Sequence, residues 1–471
     1  MRNAVVTLAL GVGVVALVFN DSAFERRAQE AAAHRRAQEA AELIPRIVEP
    51  GVFERIVALN EIEPVLDATQ AGQPSGVRRM ACIALGRIGG KQARDRLLAM
   101  LQESTGKPEN DGWTRLYAAA GLTELADPAT AIDLILQLST INPDDALAAR
   151  ADRMQSGPYF TIDAQLCDAL LTMGLHGAAA SLIEQLERIH RIRISIDAYA
   201  VLRRHTGLDL PFRYNGSDAA RLEDAQRWRA AVALERTWDG APAFDLENPR
   251  FRERCKEVVA WLGGSSITHR LKAHKVLDLL GEPALPFLID LLRSDNRVGQ
   301  RQAAYTLGLI AHSGAAEALM DALDGTDADA RAEAVDALTK LRHEPAVESV
   351  RAMLKDPDGE VRAAAATLVG KLGGQAEVMP LVEALKAELE RKGHAGTVTA
   401  MTGALVMLDR REYIGAMLQI FVEGELVDRR DALRVLEEYT SEKFDADAAA
   451  GLEERRAAAE RIRERIRKRF Q

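Results

Sequence analysis

Few residues in this 471-residue chain have the types and spacing that chemistry needs. Its nine histidines are scattered, with neither His-x-x-x-His nor His-Glu-x-x-His, the spacings that would set metal ligands on one helix face. One His-Glu pair occurs, His343-Glu344, directly before Pro345. One imidazole and one carboxylate fall short of the ligand set that a two-metal centre requires. Cys82, Cys167 and Cys255 lie far apart in apolar stretches, so they make neither a disulfide framework nor a zinc knuckle. A thiol among apolar neighbours is inert packing. No Gly-x-x-x-x-Gly-Lys-Ser/Thr, Gly-x-Gly-x-x-Gly or Gly-x-Ser-x-Gly sequence is present. Asp327, Asp329, Asp356 and Asp358 sit in loops too short for an EF-hand. They read instead as caps that accept from free N–H groups and meet the next helix dipole. The sequence predicts no catalytic residue, no cofactor, no metal and no small-molecule substrate.

The elements that carry these residues follow from composition and period. Hydrophobic residues are 47% and charged residues 28%, which marks a folding chain, and aromatics at 5% argue against a large sheet. With 61 basic and 70 acidic residues the net charge is −9, so no nucleic-acid partner is expected. The length implies two or three domains or a repeat array.

Self-similarity selects the array. Arg270, Gln300, Arg331 and Arg362 recur every 30 to 31 residues. Ala273, Ala303, Ala334 and Ala365 follow three residues later, then Leu277, Leu307, Leu338 and Val369 four further on. A second helix repeats as Leu319, Val350, Leu381 and as Leu323, Leu354, Leu385. Each unit is therefore an antiparallel helix pair, with small residues for close approach and aliphatics for the seam. One pair cannot bury both faces, so units must stack. Arg78, Ala81, Leu85, Ile88, Leu97 and Leu101 repeat the template near the front.

The segments DPDGEVRAAAATLVGKLGG (356–374), GVRRMACIALGRIGG (76–90) and RVGQRQAAYTLGLIAHSG (297–314) resemble the HEAT family, in particular its short, HEAT-like subtype, as found in bacterial envelope proteins and bilin lyases. The resemblance covers about 260–390 and 76–102. It implies an all-α, right-handed superhelical solenoid of antiparallel helix pairs. It also implies a structural ladder between units, here Arg78, Arg331 and Arg362 with Asp327 and Asp358. HEAT-like iron-dependent hydroxylases carry four His-Glu pairs where this chain has one.

A second internal match aligns Val201–Gly207 with Val435–Ser441 and runs ungapped to Trp228-Arg229 against Ile462-Arg463. Each copy reads as a helix end, a short loop and a long charged helix that closes a stack with a polar outer face. Ile462, Ile466 and Phe470 form the apolar stripe of the last one. The chain then divides into a charged helical stalk at 22–50, half-arrays at 51–238 and 250–447, a connector at 239–249 and a basic amphipathic helix at 448–471. Trp228, Trp238 and Trp261 lie near the connector and read as core. Interruptions at 103–112 and 142–160 are the longest, and such insertions often lie on a binding face.

The first 21 residues read as an anchor. Residues 4–19 are an uncharged apolar run, short against the roughly 17–25 residues of a spanning helix. An uncut anchor is preferred to a cleaved signal peptide, because small residues are missing at the cleavage positions. The expectation is a single-pass cell-membrane protein with its solenoid on the outer, periplasmic side. The function expected is a non-catalytic scaffold or adaptor for another protein, with a HEAT-like lyase or regulatory subunit and a structural envelope spacer as alternatives. Glu317, Asp321, Glu348, Arg351 and Glu383, at non-core positions of second helices, are the expected partner surface. Their acidic bias suits a basic partner segment.

Overall fold

The computed structural model describes residues 5–9, 14–18, 21–103, 108–140, 161–187, 192–234, 238, 243–391 and 393–470. Apart from one hairpin, its regular elements are helices. The chain divides into two compact units, Met1–Phe251 and Arg252–Gln471.

The first unit begins with two antiparallel strands, β1 (Val5–Ala9) and β2 (Val14–Val18), with Val5 opposite Val18 and Ala9 opposite Val14. This corrects the anchor read at residues 4–19. Among the described residues no helix is long and apolar enough to cross a membrane, so the single-pass, outward-facing placement is not supported. The physical reason lies in residue type. Valine and threonine are stiff at χ1 and favour extended backbone, and the glycines at 11 and 13 have low helix propensity. Apolarity alone does not make a helix.

Helix α1 (Asp21–Leu43) follows, then α2 (Val52–Leu59) and α3 (Ile62–Ala68). The stretch read as a stalk is tied to the unit. Ala40 is fully buried, Arg36 pairs with Glu61 at 2.7 Å, and Glu39 accepts from Arg55 at 2.8 Å. Four pairs come next: α4 (Ser75–Ile88) with α5 (Gly90–Gln102), α6 (Pro108–Leu125) with α7 (Ala131–Thr140), α8 (Ile162–Thr172) with α9 (Ala178–Glu187), and α10 (Ile192–Thr206) with α11 (Asp218–Val232). Of the interruption read at 103–112, residues from Pro108 belong to α6, and 104–107 lie outside the described residues. The interruption at 142–160 lies outside them too, as do residues 239–242 of the connector.

Helix α12 (Pro249–Leu262) leads into the second unit. Its first helices are α13 (Ile267–Leu280), α15 (Arg297–Ile310), α17 (Ala328–Lys340), α19 (Gly359–Leu372), α21 (Ala395–Met407) and α23 (Leu426–Thr440). Their partners are α14 (Leu285–Leu292), α16 (Ala316–Ala322), α18 (Ala346–Met353), α20 (Val378–Arg391), α22 (Ile414–Glu423) and α24 (Leu452–Arg469).

The period fixes both the caps and the core. Ser266, Asn296, Asp327 and Asp358 each accept from backbone N–H groups of the helix they precede. Ala273, Ala303, Ala334 and Ala365 are wholly buried, as are Leu277, Leu307, Leu338 and Val369, and Leu319, Val350 and Leu381. First helices of adjacent pairs approach very closely. A Cβ on Gly370 would lie 2.5 Å from Ala404 Cα, and one on Gly308 would lie 3.0 Å from Ala337 Cα. In the first unit a Cβ on Gly86 of α4 would sit 2.1 Å from the Gly121 carbonyl of α6.

The two matched segments adopt the same local fold. Helices α10 and α23 end at Thr206 and Thr440, and α11 and α24 start at Asp218 and Leu452, twelve residues on in each copy. Arg221 donates to the Gly216 carbonyl at 2.6 Å, and its counterpart Arg455 donates to the Ala450 carbonyl. Trp228 and Ile462, at equivalent positions, are both buried. Ile462 and Ile466 join a core with Met417, Phe421 and Leu436, against which Phe470 packs.

Candidate functional site

The repeat-periodic basic residues come first, because they could be a site or a frame. Arg270, Gln300, Arg331 and Arg362 each donate to a carbonyl six residues earlier, those of Gly264, Ser294, Gly325 and Asp356, at 2.6, 2.6, 2.9 and 2.8 Å. Gln300 makes this bond without charge, so the common role is to satisfy the preceding helix's end. Arg331 adds a bidentate pair with Asp356 (3.1 and 2.9 Å), and Arg362 one with Glu388 (2.8 and 2.9 Å). Arg78 donates to the Thr69 carbonyl at 3.2 Å and to Thr114 Oγ1 at 3.1 Å. Asp327 and Asp358 cap α17 and α19, while the carboxylates that meet the arginines are Asp356 and Glu388. Glu388 lies 26 residues beyond Arg362, outside any local motif.

The five second-helix residues are all exposed: Glu317 and Asp321 on α16, Glu348 and Arg351 on α18, Glu383 on α20. Asp321 pairs with Arg293 at 3.0 Å, and Arg351 with the buried Glu377 at 2.7 Å.

A groove of about 560 Å³ lies elsewhere, on the first helices of the second unit. None of those five residues lines it. Its wall carries seven carboxylates (Asp329, Glu333, Asp336, Glu360, Asp428, Asp431, Glu438) against Arg301, Lys371 and Arg434. Its floor is small: Ala363, Ala364, Ala400, Gly403 and Ala404. Arg301 holds Asp329 at 2.8 Å, Lys371 holds Glu438 at 2.8 Å, and Arg434 holds Asp431 at 3.2 Å. Asp428, buried, accepts from Thr399 Oγ1 at 3.1 Å. Asp336 and Glu360 have no ion pair among the described residues. Burial, reinforced by Glu333 one turn away, pushes the Asp336 carboxyl up to about 6, and burial also raises Glu333. The groove thus holds negative charge that its own cations do not neutralise. Chemically it suits the positively charged group of a side chain, not a bare metal ion. Glycine and alanine let neighbouring first helices approach closely here, as Gly308 does Ala337 and Gly370 does Ala404.

Outside the groove, several titratable groups are held by partners or by burial. Asp168 accepts from His205 Nε2 at 2.6 Å and Arg204 Nη1 at 3.0 Å. Asp224 accepts from Arg213, which holds its carboxyl below the usual range. Burial pushes the thiols of Cys82 and Cys255 up to about 12 and raises Cys167 as well. Trp228 packs edge-on to Tyr199, Trp238 stacks on His176, and Trp261 stacks on His269. Among the described residues no three His, Cys, Asp or Glu side chains group closely enough to hold a metal ion.

Residues 256–339 and 316–397 match the family model described as HEAT repeats, so the resemblance read from the sequence is shown there. No curated protein matches the sequence. Solved structures that the chain matches include human deoxyhypusine hydroxylase in complex with glycerol, at 17% identity and TM-score 0.23, covering 71% of this chain and 96% of that one. Kap121p bound to Pho4p is similar at 12% identity and TM-score 0.34, covering 91% and 49%. Importin beta is similar at 14% identity and TM-score 0.28, covering 81% and 60%. The chain thus spans about half the length of Kap121p.

Proposed function

We propose that this HEAT-repeat chain is a scaffold that binds another protein and performs no catalysis of its own, and that it recognises its partner on the first-helix face of residues 252–471. The observation that carries the reading is the groove itself. Seven carboxylates against three cations, with Asp336 and Glu360 unpaired, is an arrangement a fold has no need of for stability. Like charges confined beside one another cost free energy, and a basic side chain of a partner relieves that cost. Stacked helix pairs supply the rest: a long, continuous surface on which each unit contributes one strip. The boundary between two half-arrays at the connector 239–249 belongs to the same proposal.

The test compares the two faces. Full-length protein with Asp336→Lys and Glu360→Lys, and a second variant with Asp321→Lys and Glu348→Lys, are cross-linked in their native cells at a photoreactive residue replacing Ala332. A stoichiometric partner lost from the first variant and kept by the second is the expected result. Loss from the second variant alone returns the surface to the second helices. No stoichiometric partner for any form refutes the scaffold reading.

A further inference from the structure

The 30- to 31-residue period lets one surface position be followed from unit to unit. Two residues past each cap the series is Thr268, Val298, Asp329, Glu360; two turns on it is Lys275, Tyr305, Asp336, Thr367; at the far end it is Leu279, Leu309, Lys340, Lys371. These positions are apolar or aromatic on α15 and charged on α17, and on α13 the same face carries Leu271, the equivalent of Arg301, with Ile267 one turn before it. The apolar part faces water. Ile267 is 66% exposed, Leu271 65% and Val298 48%, with Tyr305 and Leu309 also exposed. The buried alanine and leucine columns that stack the units lie on other faces of the same helices. Tyr305 links the two halves of the surface. Its ring meets His274 edge-on at 5.0 Å and has Lys340 Nζ 5.2 Å from its centroid. That contact draws one cation of α17 toward the apolar end, and Asp336 and Glu360 are left without an ion pair.

Two independent features thus share one face. An exposed apolar patch of this kind marks an interaction site, and the adjoining groove is charge-complementary to a cation. We propose that the first-helix face takes one extended, bipartite protein segment: an apolar anchor seated on Ile267, Leu271, Val298 and Tyr305, followed along the array by lysines or arginines over Glu333, Asp336 and Glu360. This rests on the scaffold reading and names its partner's chemistry. The anchor supplies desolvation and hence a slow off-rate; the basic residues supply steering and direction. Neighbouring helices lie about 10 Å apart, so α13 to α19 span about 30 Å. An extended segment covers that with about nine residues, and one of about 15 leaves both ends free.

The experiment uses the full chain and three fluorescent peptides of about 15 residues. One has a Leu/Phe cluster followed by a Lys/Arg run, one has the basic run with serines for the anchor, and one has the anchor with neutral residues. Anisotropy titrations at two salt concentrations should rank the bipartite peptide at least about tenfold tighter than either half, since two or three seated apolar side chains are worth that factor. Leu271→Ser with Ile267→Ser should weaken the bipartite peptide and leave the basic one unchanged. Asp336→Lys with Glu360→Lys should weaken both and flatten their salt dependence. Equal affinity for the bipartite and basic peptides overturns the bipartite inference and leaves the scaffold reading standing. No binding of any peptide overturns this inference, while the cross-linking result decides the scaffold reading separately. Light scattering covers the other occupant: a dimer abolished by Leu271→Ser would make the apolar end a contact between copies and overturn the inference. Circular dichroism confirms that each variant folds.

Discussion

Asp336→Asn is expected to stabilise the protein at neutral pH. Asp336 faces the groove between Glu333, on its own helix, and Glu360, on the next. Burial first and Glu333 second raise its carboxyl from the ordinary 3.8 to about 6. The folded state therefore holds this proton more tightly than the unfolded chain does. Between about pH 4 and pH 6 unfolding releases a proton, so stability falls as pH rises through that window. Above it the full penalty stands. At 1.36 kcal/mol per pH unit, the displacement is worth up to about 3 kcal/mol. Asparagine keeps the shape and removes the charge, so the gain should approach that size at pH 7.5 and vanish near pH 3.5. Urea unfolding of wild type and variant, followed by circular dichroism at both pH values, reads it directly. Equal midpoints at pH 7.5, or a gain that persists unchanged at pH 3.5, would refute the argument that the groove stores unneutralised charge. The same substitution should weaken binding of a basic peptide, since stability and recognition draw on one carboxylate.

Arg362→Ala leaves Glu388, 0% exposed, without its bidentate partner and strips the Asp356 and Pro357 carbonyls of a donor. Loss of one member of a buried pair should cost about 3–5 kcal/mol, and Arg362→Met with Glu388→Leu should recover most of it, both read by urea midpoint. Gly370→Leu drives a side chain into the Ala404 backbone, whereas Gly374→Ala meets nothing within 4 Å. The first should cost at least about 1–3 kcal/mol and the second almost nothing, measured as thermal midpoints. Cys82 and Cys255, held near 12, and Cys167 should resist a thiol reagent at pH 8 in the native protein and all react in urea.

What the sequence determined was the repeat and everything local to it. A 30- to 31-residue spacing of Arg270, Gln300, Arg331 and Arg362 with their alanine and aliphatic followers dictates stacked helix pairs, because no other arrangement buries both faces. Asp327 and Asp358 were legible as caps, since a cap acts within three residues of itself, whereas Asp329 and Asp356, read the same way, meet Arg301 and Arg331. The register of α10–α11 against α23–α24 was legible for the same reason. Three things were decided only by tertiary structure. Residues 5–9 and 14–18 pair as strands, a choice between helix and strand that apolarity does not make. The carboxylates that meet Arg331 and Arg362 are Asp356 and Glu388, 25 and 26 residues away, brought in by the fold of the pair and not by spacing along one helix. The groove on which recognition is proposed is lined by first helices, and the second-helix residues Glu317, Asp321, Glu348, Arg351 and Glu383 do not line it. Which layer of a stack closes up depends on the summed fit of Gly308 to Ala337 and Gly370 to Ala404 across units, and a surface groove exists only after that sum has been taken.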